Sequence, residues 1–125
     1  MRRLDIIVGW LLIALGAVHT LLTRRVDPSL GVNAIWFACG GLFMITIGAL
    51  NLLRVAYGAV ARGIYVVSFL ANLVLVLLML WIASRVPMRG NPQVAVGLTI
   101  AALLTAFSVL RRSSQIQARQ AQSAK

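Results

Sequence analysis

A chain of 125 residues that is 61% hydrophobic and 11% charged lies far from the soluble norm of about a quarter charged. Its net charge of +10 does not mark a nucleic-acid binder: no Lys/Arg stripe with interleaved aromatics is present to follow a phosphate backbone. With a single cysteine, Cys39, an intrachain disulfide or thiol redox pair is excluded.

Four apolar runs fill the sequence, at residues 6–23, 30–53, 63–84 and 94–110. Each approaches the ~20 residues that a helix needs to cross a bilayer core. The expected fold is therefore all-α, an integral membrane four-helix bundle that takes up residues 1–110 as one domain, followed by a basic polar tail at 111–125. Arg2 and Arg3 precede the first run as in a signal peptide. That run ends in Thr23-Arg24-Arg25 and not in a small-x-small cleavage site, so it reads as a retained span. The only carboxylates, Asp5 and Asp27, fall at the edges of the first two runs. On this reading the bundle lacks the buried carboxylate that drives most small proton-coupled transporters.

Helix boundaries follow from local chemistry. Asp27-Pro28 and Asn91-Pro92 are expected to open the second and fourth helices, because Asp or Asn caps free N–H groups and proline fits the first turn. Pro87 closes the third helix. The segment 54–62 carries Gly58 as its strong breaker and is otherwise apolar between Arg54 and Arg62, so the flanking helices are expected to run on there. The tail either extends the fourth helix or is disordered.

Lipid supplies little hydrophobic drive between helices, so small residues mark the contacts. The candidates are Gly9 and Gly16 in the first helix, and Ala34, Ala38, Gly41 and Gly48 in the second. The fourth helix has the clearest stripe, Gly97, Ala101 and Thr105 at four-residue spacing. These stripes serve the bundle, contacts between copies, or both.

Polar groups at membrane depth are expensive and have partners. His19, four residues before the end of the first run, is the one side chain within a span that titrates near neutrality. It reads as a proton relay, a haem ligand, a general base, or a neutral imidazole bonded to Gln93 or Asn33. Asn51 and Asn72 read as pocket-lining residues or as interhelical clamps worth about 0.6–2 kcal/mol. Trp36 reads as an interfacial belt residue before a ligand platform. One His, one Cys and two Asp do not make a metal centre with three or four ligands in one chain, and no cofactor is expected.

The pieces Leu15-Gly16-Ala17-Val18-His19-Thr20 and Ile35-Trp36-Phe37, followed by Gly40-Gly41, Gly48 and Asn51, resemble a family of small, uncharacterised bacterial four-span membrane proteins. Asn72 and Pro92-Gln93 fit the same pattern. The resemblance implies a four-span fold and groups His19, Trp36, Asn51, Asn72 and Gln93 as a set; it brings no activity.

These features point first to a non-enzymatic binding or interaction protein of a bacterial inner membrane, acting through helix packing or a lipidic ligand. The alternatives are a transporter or channel subunit, and an enzyme on an apolar substrate that uses His19. Expected partners are further copies of the chain, a lipidic small molecule and anionic lipid headgroups, with no nucleic acid. Arg2, Arg3, Arg54, Arg62, Arg111, Arg112, Arg119 and Lys125 lie on one side of the predicted topology, against Arg24, Arg25, Arg85 and Arg89 on the other. The excess places both termini in the cytoplasm. Reporter fusions at Lys125 should signal from the cytoplasm; a periplasmic-only signal would reverse the assignment, and a mixture would indicate dual topology.

Overall fold

The computed structural model describes residues 2–58, 60–86 and 90–123, with side chains to residue 110. Among the described residues five helices follow in order: α1 Arg2–Leu21, α2 Thr23–Val26, α3 Val32–Tyr57, α4 Arg62–Arg85 and α5 Pro92–Ser123. No strand occurs among the described residues. All but α2 are long and apolar enough to cross a membrane, which makes this a multi-pass membrane protein by length and composition. They pack as a four-helix bundle around Val8, Leu12, Met44, Ile47, Leu75, Ile100, Ala101 and Leu104.

One end of the bundle, here the termini end, holds the start of α1, the α3–α4 turn and the close of the apolar part of α5. The other, the elbow end, holds α2 and the α4–α5 turn. One helix limit departs from the sequence reading, and the helical one of the two fates left open for the tail is the one observed. Asp27-Pro28 does not open the second long helix: the short α2 intervenes, and α3 begins at Val32 after Gly31. Asp27 instead accepts bonds from the Ser29 backbone N–H and hydroxyl. The Ser29 hydroxyl is the main reason that its carboxyl is held below the usual range. Leu30 takes a left-handed backbone (φ 52°) to complete the turn. In addition, α5 does not stop at residue 110 but continues as helix to Ser123, about 20 Å beyond the apolar segment at ~1.5 Å per residue.

The closest approach is between α1 and α3. A Cβ placed on Gly16 would lie 2.6 Å from the Gly41 carbonyl oxygen, and one on Gly41 the same distance from the Gly16 oxygen. Two turns toward the termini end, a Cβ on Gly48 would lie 2.9 Å from the Gly9 oxygen, whereas one on Gly9 would first meet the Leu52 side chain, at 3.0 Å. Backbone therefore meets backbone at both levels, and Gly16, Gly41 and Gly48 leave no room for a side chain. Ala34 is buried, whereas Ala38 is half-buried. The α5 stripe packs less tightly. Gly97 and Ala101 are buried and Thr105 is half-buried, yet a Cβ on Gly97 would meet the end of the Met79 side chain alone among the described residues, its sulfur at 3.0 Å. A thioether can swing aside; a backbone carbonyl cannot.

These contacts rank three substitutions. Gly41→Ala should destabilise the bundle by about 1–3 kcal/mol or more through overpacking. Gly97→Ala should cost less because Met79 yields. Gly63→Ala, with nothing within 4 Å of its added carbon, should be neutral or stabilising by up to ~1 kcal/mol. Thermal or denaturant unfolding in one detergent checks the order, and equal effects at Gly41 and Gly63 would refute the seam.

Candidate functional site

The glycine seam fixes the relative height of α1 and α3, and with it the meeting of two charged residues. Asp5 lies one turn before Gly9, and Arg54 lies past Gly48 toward the end of α3, three residues after Asn51. Both are buried, each 2% exposed. Arg54 Nη2 donates to Asp5 Oδ1 at 2.6 Å. This corrects the reading of Asp5 as a span-edge carboxylate that stays out of the bundle: it lies in the first turn of α1 and is buried against Arg54, over which α3 runs on to Tyr57. The bundle does contain a buried carboxylate.

A polar network continues from this pair across the bundle. Arg54 Nε and Nη2 also donate to Asn51 Oδ1, at 3.3 and 3.2 Å. Asn51 and Asn72 exchange amide bonds across α3 and α4: Asn51 Nδ2 donates to Asn72 Oδ1 at 2.6 Å, and Asn72 Nδ2 to Asn51 Oδ1 at 2.9 Å. Asn72 Nδ2 reaches on to Ser108 Oγ of α5 at 3.2 Å. Asn51, Asn72 and Ser108 are fully buried. Two side chains tie the network to backbone: Tyr65 donates to the Ser108 carbonyl at 2.9 Å, and Ser68 to the Leu50 carbonyl at 3.1 Å. Asp5, Arg54 with Asn51, Asn72 and Ser108 thus bring α1, α3, α4 and α5 into one hydrogen-bonded cluster at the termini end.

Burying a charged pair is costly unless its lone pairs and protons are also satisfied. Here they are satisfied in part. Arg54 Nη1 is buried with no hydrogen-bond partner among the described residues, as is Thr23 Oγ1 at the elbow end. The cluster locks the bundle in one register, because sliding a helix by one turn would strand several of these groups.

The set grouped from the sequence separates. Asn51 and Asn72 meet in the cluster, with the reciprocal geometry of an interhelical clamp. His19, Trp36 and Gln93 belong to the elbow end and do not join it. The His19 ring stacks on Phe37, with centroids 3.7 Å apart. Trp36 is 72% exposed, in the manner of a belt residue. Gln93 is exposed and bonds Asn91. Cys39 is exposed. No group of three or more His, Cys, Asp or Glu is placed to hold a metal among the described residues. Asp5, Arg54, Ser68, Tyr65 and Ser108 were not singled out as a site from the sequence. The available signal was helical phase: Gly48, Asn51 and Val55 share a face of α3, and Arg54 adjoins it at three residues from Asn51.

No family model, curated protein or solved structure matches the chain.

The ion pair makes a sharp prediction. Arg54→Met removes the guanidinium from a buried carboxylate and should cost about 3–5 kcal/mol. Adding Asp5→Leu should recover most of that loss, since an apolar pair of similar volume satisfies the same space. Unfolding in detergent or bicelles measures both. A double variant no more stable than Arg54→Met would show that the pair is not a unit.

Proposed function

We propose that this chain is a non-enzymatic binding or interaction protein of a bacterial inner membrane, oriented with both termini in the cytoplasm and working as a homo-oligomer. What supports the reading is the engagement of the Asp5, Arg54, Asn51, Asn72 and Ser108 side chains with one another inside the bundle. These polar groups hold helices together. The outward surface is apolar along α4, with Val66, Val67, Leu70, Val74, Leu77 and Trp81 exposed, and presents itself to acyl chains or to a neighbouring helix. With Arg54 paired to Asp5, the basic excess that sets orientation is seven against four, still on the side of the termini. Arg2, Arg3 and Arg62 are exposed there and suited to anionic headgroups.

A transporter or channel subunit is the second reading, and one observation favours it. An ionisable pair inside membrane helices is a common mark of ion and proton pathways. The Asp5→Leu/Arg54→Met double variant separates the two. On the binding reading, native mass spectrometry from nanodiscs should find the same copy number and the same bound lipid in the wild type and the double variant, and wild-type liposomes should carry no proton flux. Proton flux in wild-type liposomes that vanishes in a still-folded double variant would replace the binding reading with the transport one.

A further inference from the structure

The four spanning helices divide into two pairs. α1 and α3 interlock through Gly9 with Gly48 near the termini end and Gly16 with Gly41 toward the elbow end. α4 and α5 meet through Met79 against Gly97 near the elbow and through Tyr65 and Asn72 on Ser108 near the termini. The chain connects one pair to the other at the α3–α4 turn, at the termini end.

The hydrogen bonds described between the pairs lie at that same end: the Asn51–Asn72 exchange, and Ser68 on the Leu50 carbonyl. From the middle of the bundle onward, the side chains gathered between the pairs are apolar, among them Leu12, Met44, Ile47, Leu75, Ile100 and Leu104. The side-chain hydrogen bonds described near the elbow stay within one helix, one loop or one pair: Thr20 on the Gly16 carbonyl, Thr99 on Ala95, Ser84 on Trp81, Gln93 on Asn91, and His19 of α1 with the Phe37 backbone of α3.

We infer that α1/α3 and α4/α5 are two rigid halves hinged at the termini end, and that the elbow end opens between them toward the lipid. The energetics are asymmetric. An apolar side chain that leaves the opposite half for lipid exchanges one apolar neighbour for another and loses only packing. An asparagine that leaves its partner strands buried polar atoms in a medium without water. Separation within α1/α3 is disfavoured at both ends, because it would break backbone contact along the whole seam. The device is a clothespin: its spring is the Asn51–Asn72 and Ser68 cluster, and its jaws are the elbow ends of the halves.

Paired spin labels in nanodiscs test this, in a Cys39→Ser background with cysteines at exposed positions. Val18 with Val96 spans the halves at the elbow end, Ile7 with Ala106 spans them at the termini end, and Val18 with Val32 lies within α1/α3. Double electron–electron resonance should give a Val18–Val96 distribution several ångströms broader than the other two. Asn72→Ala should broaden Ile7–Ala106 as well; if that variant does not fold, Ser68→Ala, which removes one bond, carries the same expectation. Equal widths at the two ends overturn the hinge. A Val18–Val32 distribution as broad as Val18–Val96 also overturns it, since the elbow would then be fraying helix by helix. An Ile7–Ala106 distribution unmoved by the folded variant overturns the assignment of the spring.

Discussion

Backbone contact between α1 and α3 is the constraint on which the rest of this bundle depends. Gly16 and Gly41 face one another so closely that a methyl group on either would sit 2.6 Å from the other's carbonyl oxygen. Two turns away Gly48 stands against the Gly9 carbonyl oxygen, 2.9 Å from an added methyl, and the two contacts fix crossing angle and height together. Once height is fixed, Asp5 stands opposite Arg54. A bulkier seam would hold the helices farther apart and leave both charges facing a medium that cannot solvate them.

From that pair the polar network carries order into the other two helices. Asn51 is the branching point: its oxygen accepts from Arg54 on its own helix and from Asn72 on α4. Asn72 passes the connection to Ser108 of α5. Four helices that lipid alone would pack in several registers are thereby held in one. Arg54 Nη1, without a partner among the described residues, is the cost of the arrangement, because each buried unmet donor gives back about 1–3 kcal/mol.

Much of the fold was legible in the sequence. Long apolar runs leave a helix little choice in lipid, since backbone groups must bond within their own segment. The seven-residue spacing of Gly9 and Gly16, and again of Gly41 and Gly48, named the seam. It did not say that these two faces meet each other, because spacing reports a face and not its partner. Asp5 was misread because it borders a run of apolar residues and so looks like a span edge. The face that carries Gly9 and Leu12 leads back one turn to Asp5, and the face that carries Gly48 and Asn51 leads on to Arg54. The family resemblance grouped His19, Trp36 and Gln93 with Asn51 and Asn72; these three lie at the other end of the bundle from the asparagines, and Trp36 turns outward.

The account holds that the glycine seam delivers Asp5 to Arg54. Solid-state NMR of the protein in lipid bilayers, with arginine nitrogen and aspartate carboxyl carbon labelled, reads that contact directly. Wild-type protein should give a strong dipolar coupling between the Arg54 Nη atoms and the Asp5 carboxyl carbon, and Gly48→Ala should weaken it in molecules that remain helical. A wild-type spectrum without the coupling, or a coupling undiminished by Gly48→Ala, would contradict the account.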